Sequence, residues 1–268
     1  MKIQTDSIKI NYELSGDGAC LVLIHGFSDN LSMWYNQVPA FSKQYKVLTF
    51  DTRGHGHTET PEDEFSREDL GEDLYALFKA LNIDQACVLG YSMGGAIGLE
   101  FTLKHPEMVT GLILANSGVM TPDIKPPPEH RAEMQKHLQE MIEMLETGDI
   151  NTIADTMAEM SFSPGLRDKD PALFQRYKKI KLENDPQHYA RFFRAMGPGK
   201  SNPPDITRLK CPVLCIAGEH DGFHVESAKS MQRIMDNVTV NILDTGHASA
   251  IQAPKEFNQA VLDFMKRL

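Results

Sequence analysis

Short apolar runs alternate along the chain with segments in which apolar residues recur every three or four positions. The runs predict buried strands at 20–24, 46–50, 86–89, 109–115, 212–218 and 238–243, and residues 8–14 alternate like an antiparallel strand. Helical spacing predicts helices at 33–41, 67–81, 94–104 and 255–266. This alternation favours a mostly parallel sheet with helices on both faces.

The alternation is interrupted between residues 120 and 205. Prolines crowd both ends of this stretch, and the pattern between them predicts helices at 129–146, 150–160, 171–184 and 187–196. We therefore expect a core formed by residues 1–119 and 206–268, and an inserted helical cap at 120–205. The predicted helices of the cap carry Met134, Met141, Met144, Met157, Met160 and Met196. Such side chains adapt to apolar ligands, although ordinary packing is the simpler interpretation for each one.

The segment Gly90-Tyr91-Ser92-Met93-Gly94-Gly95 joins a predicted strand to a predicted helix. A serine with glycines two positions before and after it, at such a junction, is typical of a nucleophile elbow. The sharp turn leaves no room for side chains at the flanking positions, so glycine fits there. Ser92 is therefore the candidate nucleophile.

A nucleophilic serine needs a base, and the base needs an orienting acid. His247 follows the last predicted strand, and Asp221 follows the strand before it. The chain order Ser, Asp, His is that of the elbow-type hydrolases. Glu219 and Asp244 are the alternatives for the acid, but Asp221 is favoured because it lies in the loop that should reach His247.

Two backbone N–H groups should stabilise the oxyanion that forms during acyl transfer. The candidates are the N–H groups of Met93, which follows the nucleophile, and of Phe27, in the loop after strand 20–24. The side chains of Phe27, Met93 and Met120 are expected to contact the substrate. His25, in the same loop, is interpreted as a hydrogen-bonding support.

Composition and charge argue against several classes of function. The formal charge of −10 argues against nucleic-acid binding by bulk electrostatics, and no apolar run is long enough for a membrane span. The four cysteines lack metal-ligand spacing, and the N-terminus lacks an apolar signal core, so we expect a cytoplasmic enzyme. No metal or organic cofactor is expected, and the protein should be a monomer or a small homo-oligomer.

Residues 161–200 carry nine Lys or Arg against four Asp or Glu in an otherwise acidic chain. A solvated helix face is the favoured interpretation of this excess. Docking of an anionic substrate is the alternative.

These motifs resemble those of the α/β-hydrolase fold, whose members have a mostly parallel eight-stranded sheet. Leu31 to Val38 and the Asp51-Thr52-Arg53-Gly54-His55-Gly56 loop look most like the 3-oxoadipate enol-lactonases, although His25-Gly26-Phe27 is closer to general carboxylesterases. The resemblance implies a serine hydrolase that cleaves small carboxylic esters through an acyl-enzyme. Lactone ring opening is the alternative, and C–C bond hydrolysis, perhydrolysis and a non-enzymatic ligand receptor are further ones.

Overall fold

Eight strands form one sheet in the order β1-β2-β4-β3-β5-β6-β7-β8. The strands are β1 Lys2–Gln4, β2 Lys9–Ser15, β3 Cys20–Ile24, β4 Lys46–Phe50, β5 Ala86–Tyr91, β6 Val109–Ala115, β7 Val213–Gly218 and β8 Val238–Leu243. β2 is antiparallel to β1 and β4, and every other neighbouring pair is parallel. The predicted mostly parallel, eight-stranded sheet is confirmed, and β1 is a strand that the hydrophobic pattern did not predict.

This structure is a computed structural model that describes residues 1–60, 65–121, 124, 128–185, 188–189, 191–192 and 205–268. Most of the predicted helix at 187–196 lies outside these residues, as do most of the prolines that flank the cap. None of the helices in the described part of the chain combines the length and apolar character that a membrane crossing requires.

The central strands are buried on both faces, which is why they are almost continuously apolar. Every residue of β5 and β7 is buried. Val22 and Ile24 of β3 belong to one core cluster, whereas Leu21 and Leu23 belong to another. Because successive side chains of a strand point to opposite faces, these clusters are the two cores between the sheet and its helical layers.

The helices are α1 Val38–Phe41, α2 Arg67–Ala80, α3 Met93–Lys104, α4 Pro128–Thr147, α5 Ile150–Ser161, α6 Leu166–Lys169, α7 Pro171–Leu182, α8 Gly222–Ile234, α9 Ser249–Gln252 and α10 Pro254–Met265. Ser66 and Asp69 form a capping box at the start of α2. The helix predicted at 33–41 is instead a 3-10 helix, Leu31–Asn36, followed by α1. Pro39 lies in the first turn of α1, where its missing N–H has no cost, so the second helix begins there.

Helices α4 to α7 are inserted between β6 and β7, and this confirms the helical insertion. The boundaries at 120 and 205 stay a prediction. We keep the name cap for this insertion, whose helices α4 to α7 span residues 128–182.

A buried ion pair ties the cap to the core. The Nζ atom of Lys181, in α7, lies 2.9 Å from Oδ1 of Asp29, and the two side chains are 2% and 1% exposed. The ammonium also donates to Ser28 Oγ at 3.0 Å and lies 4.2 Å from the centroid of the Tyr177 ring. The Tyr177 hydroxyl donates to the other Asp29 oxygen at 3.0 Å. Each charge is therefore compensated within a group of side chains from both parts of the protein.

Replacement of Lys181 by Met would keep the side-chain bulk and leave the Asp29 carboxylate buried without its cation. Removing one partner of a buried pair costs about 3–5 kcal/mol. We expect Lys181→Met to lower the free energy of unfolding by that amount in urea denaturation. The double variant Asp29→Asn/Lys181→Met removes both charges and should recover most of the loss. A single variant as stable as the wild type would contradict this account of the ion pair.

Candidate active site

Ser92 lies in the turn between β5 and α3, and its backbone has φ 52° and ψ −114°. This conformation is strained for any residue other than glycine. A Cβ atom on Gly90 would overlap the carbonyl oxygen of Gly94, and one on Gly94 would overlap that of Ile24. Since backbone atoms fill both positions, only glycine fits. The turn holds Ser92 above the carboxyl-terminal edge of the sheet, at the N-terminus of α3.

His247 links Ser92 to Asp221. Its Nε2 atom lies 2.8 Å from Ser92 Oγ, and its Nδ1 atom lies 2.7 Å from Asp221 Oδ2. Ser92, Asp221 and His247 come just after β5, β7 and β8, whose carboxyl ends meet at one edge of the parallel sheet. The structure thus brings the three predicted residues into one continuous chain of hydrogen bonds.

Asp221 accepts hydrogen bonds from two further side chains. The Nδ2 atom of Asn116, directly after β6, lies 3.0 Å from Oδ2, and the Nδ1 atom of His224 lies 2.9 Å from Oδ1. Burial raises the pKa of Asp221, but the hydrogen bonds from His224 and His247 outweigh it and hold the pKa well below its usual range. The carboxylate is therefore ionised, as it must be to orient His247 and to stabilise its imidazolium form.

The two alternatives for the acid lie at the surface. Glu219 is exposed. The side chain of Asp244 is 89% exposed and faces Nε2 of His220 at 3.3 Å. The carboxylate within hydrogen-bonding distance of His247 is that of Asp221.

The backbone segments that carry the two predicted oxyanion donors lie against each other. A Cβ atom on Gly94 would come within 2.6 Å of the His25 carbonyl oxygen, so the first turn of α3 packs directly on the end of β3. This packing leaves the Met93 segment and the Phe27 loop side by side next to Ser92. The assignment of the Phe27 and Met93 N–H groups as the donors stays a prediction.

Two buried histidines join the Phe27 loop to the loop that follows β4. The Nε2 atom of His25 accepts the Thr52 N–H at 3.0 Å, and the Nε2 atom of His55 accepts the Ser28 N–H at 3.3 Å. Burial lowers the pKa of both histidines, so the rings are neutral and can accept these hydrogen bonds. The position of His25 is consistent with the expected role of a hydrogen-bonding support for the loop. His55 makes a similar hydrogen bond, and the sequence analysis had not assigned a role to it.

A cavity of about 280 Å³ opens beside Ser92. Apolar side chains on its wall come from the Phe27 loop and from the cap, namely Phe27, Met141, Met157 and Met160. Polar side chains line the rest of the cavity. They are the side chains of Ser28, Asp29, Tyr91, Ser161 and Tyr177, together with Ser92, Asp221 and His247. Among the described residues, Met93 and Met120 lie outside this lining, and Met120 is 40% exposed.

The other cap methionines and basic residues have separate surroundings. Met144 packs against a small cluster that contains Leu145 and Tyr189, while Met196 and the side chain of Met134 lie outside the described residues. Arg167 and Lys178 both pair with Asp155, at 2.9 Å and 2.8 Å. The Arg167 side chain is 47% exposed and that of Asp155 30%, so this is a surface group of ion pairs, unlike the buried pair of Lys181 and Asp29.

Sequence reasoning missed His224, although it stands three residues after Asp221 at the start of α8. This spacing places two residues on the same side of a first helical turn. A histidine at that spacing from a candidate catalytic carboxylate is a signal that could have identified the contact.

Comparison with known proteins relates this chain to a family. Residues 20–254 match the family model described as alpha/beta hydrolase fold. The 3-oxoadipate enol-lactonase 2 of Acinetobacter baylyi is 29% identical over 99% of this chain and 96% of that protein. The crystal structure of the enol-lactonase from Burkholderia xenovorans LB400 superposes with a TM-score of 0.86 at 24% identity, covering 99% of this chain and 100% of that one. A thermophilic esterase from Thermogutta terrifontis superposes with a TM-score of 0.84 at 23% identity, covering 100% and 98%. The two superpositions establish the shared fold.

Gly90→Ala should break the turn at Ser92, because the added methyl group overlaps the Gly94 carbonyl and backbone cannot easily move aside. Overpacking typically costs about 1–3 kcal/mol, and we expect the upper end of that range or more. Thermal denaturation should show a lower Tm.

Gly71→Ala is the matched control. Gly71 lies inside α2, and an added Cβ would approach nothing closer than the Glu100 Cγ atom at 4.0 Å. Alanine in a helix interior is more stabilising than glycine by roughly 0.5–1 kcal/mol, so this variant should be slightly more stable than the wild type. Equal Tm values for the two variants would contradict the steric account of Gly90.

Proposed function

Because the chain belongs to the alpha/beta hydrolase fold family, we propose that it is a serine hydrolase that cleaves small carboxylic esters through Ser92, His247 and Asp221. The proposal is carried by the continuous hydrogen-bond chain from Ser92 Oγ through His247 to the Asp221 carboxylate. That chain contains a nucleophile, a base and an orienting acid in contact, which acyl transfer requires.

In the first half of the reaction, His247 Nε2 takes the Ser92 proton as Oγ attacks the ester carbonyl. Asp221 holds His247 Nδ1–H and stabilises the positive charge that forms on the ring. The N–H groups of Phe27 and Met93 receive the oxyanion of the tetrahedral intermediate. His247 then returns its proton to the departing alcohol, and the acyl group stays on Ser92.

In the second half, water enters and His247 removes its proton as the oxygen attacks the acyl carbonyl. The tetrahedral intermediate collapses, the proton returns to Ser92 Oγ, and the acid leaves. Phe27, Met141, Met157 and Met160 offer an apolar wall for the acyl or alkyl group. The cavity of about 280 Å³ lies just below the usual size range of ligand pockets, which favours small substrates.

Ring opening of a small lactone is the second candidate, and the likeness to a 3-oxoadipate enol-lactonase supports it. The same residues would act, except that the leaving alcohol would remain joined to the acyl group. The two candidates therefore differ in substrate and not in mechanism, and one assay that compares esters with lactones distinguishes them.

The test is turnover of p-nitrophenyl esters of increasing acyl length beside a panel of small lactones. Loss of the nucleophile should lower kcat by several orders of magnitude, so we expect Ser92→Ala to abolish turnover while its Tm stays close to that of the wild type. Short acyl chains should be the preferred esters. Ester turnover that survives Ser92→Ala would refute the proposal, and efficient lactone opening with weak ester turnover would establish the second candidate. Sustained multiple turnover also separates an enzyme from a ligand receptor.

The role of Asp221 is tested by Asp221→Asn, with Asp244→Asn as the matched control. An asparagine cannot stabilise the imidazolium and favours the wrong tautomer of His247, a change that costs about 10⁴-fold in kcat in a serine protease. We expect a loss of that order for Asp221→Asn and a rate within twofold of wild type for Asp244→Asn. The reverse pattern would assign the acid to Asp244.

A further inference from the structure

Asp221 is shared by two histidines, and the hydrolytic cycle uses only one of them. His224 Nδ1 lies 2.9 Å from Oδ1, and His247 Nδ1 lies 2.7 Å from Oδ2. The centroids of the two rings are 4.9 Å apart. One ligand atom from each of the three residues lies within 4.8 Å of the others. His224 therefore adds a second imidazole to a carboxylate that already holds one.

Two imidazoles and one carboxylate form a donor set that suits zinc and other divalent transition metals. The ligands of a tetrahedral zinc ion stand about 3.3 Å apart, given metal–ligand bonds of roughly 2.0 Å. The present nitrogen-to-oxygen contacts of 2.7 Å and 2.9 Å, which reach different oxygens of Asp221, would need to open by about half an ångström. The ligand atoms of the two imidazoles already lie within 4.8 Å of each other and would have to approach the same spacing. Side-chain rotation can supply such a change without movement of the backbone.

The three side chains are accessible to an ion from solvent. Asp221, His224 and His247 are 13%, 24% and 22% exposed, and the cavity beside Ser92 reaches both Asp221 and His247. Water could complete the coordination from that side, as it does in open zinc sites.

We propose that Zn²⁺ binds to Asp221, His224 and His247 and thereby inhibits the enzyme reversibly. The inhibition rests on the proposed function, whereas the binding does not. An imidazole that coordinates a metal through Nδ1 carries its proton on Nε2. The proton that His247 donates to Asp221 would thus move to the nitrogen that faces Ser92, and His247 could no longer accept the Ser92 proton. Metal binding therefore removes the base while leaving the residues in place.

Other histidines in the described part of the chain lack this donor set. His220 faces a single carboxylate, that of Asp244, at 3.3 Å. His25 and His55 are buried and bind backbone groups of neighbouring loops. His220 therefore offers a matched control: it is a histidine beside an aspartate, close in sequence to Asp221, with no second imidazole.

The experiment is a Zn²⁺ titration of ester turnover by the wild type, His224→Gln and His220→Gln, in a buffer that does not bind zinc. For each protein, the rate of ester turnover with Zn²⁺ is divided by the rate of the same protein without metal. We expect Zn²⁺ to inhibit the wild type and His220→Gln equally, and EDTA to restore the rate. Loss of one of three ligands should raise the half-inhibitory concentration for His224→Gln at least tenfold. Mg²⁺ should not inhibit, because it prefers oxygen ligands. Equal zinc sensitivity of the wild type and His224→Gln would overturn the proposal.

Binding is measured separately by competition with a chromophoric zinc chelator, using Ser92→Ala, which retains all three ligands. One equivalent bound by Ser92→Ala, and at least tenfold weaker binding after His224→Gln is added, would support the site even if the protein hydrolysed no ester. Ester turnover without zinc binding would refute the site and leave the proposed function standing.

Discussion

The backbone contact between the turn at Ser92 and the end of β3 is the constraint on which the site depends. It requires glycine at position 94, while the close approach of the turn's own backbone requires glycine at position 90 and Ser92 keeps a positive φ above the sheet. The same contact sets the Met93 segment beside the Phe27 loop. Since β5, β7 and β8 run parallel, the loops after them deliver Asp221 and His247 to the same edge. The arrangement of the site therefore follows from the sheet rather than from flexible loops.

The cap is bound directly to the Phe27 loop of the site by hydrogen bonds. Lys181, Asn184 and Tyr189 of the cap all donate hydrogen bonds to Ser28, which itself has a φ of 64°. His55 holds the N–H of the same residue from the core side. The Phe27 loop is thus held between two layers, and a shift of the cap would change the position of a predicted oxyanion donor.

Local spacing was sufficient to predict β2 to β8, the helices α2, α3 and α10, the helical insertion and the elbow, whereas β1 and the helix α8 at Gly222–Ile234 were not predicted. The three residues Ser92, Asp221 and His247 could be named because they follow strands whose ends must meet. Other features depend on contacts between distant segments. Lys181 belongs to a basic stretch that was interpreted as a solvated face, yet it is buried because Asp29, about 150 positions earlier, faces it. His55 escaped notice because its partner, the Ser28 N–H, lies in a different loop of the chain. His224 was overlooked although its partner Asp221 is only three residues away and the spacing is a usable signal. The 3-10 turn at Leu31–Asn36 gives no periodic signal of its own.

The hydrogen bond between His247 and Ser92 joins residues that are 155 positions apart, and the one between Asn116 and Asp221 spans 105. The whole cap lies between the two ends of the second bond. Contacts of such long range form late, because closing a long loop costs entropy before the contact returns any stabilisation. Helices and the first βα units can form while the nascent chain still lacks β7 and β8. Completion of this site is therefore a property of the finished chain, and recovered turnover after refolding would report the last step of folding rather than the first.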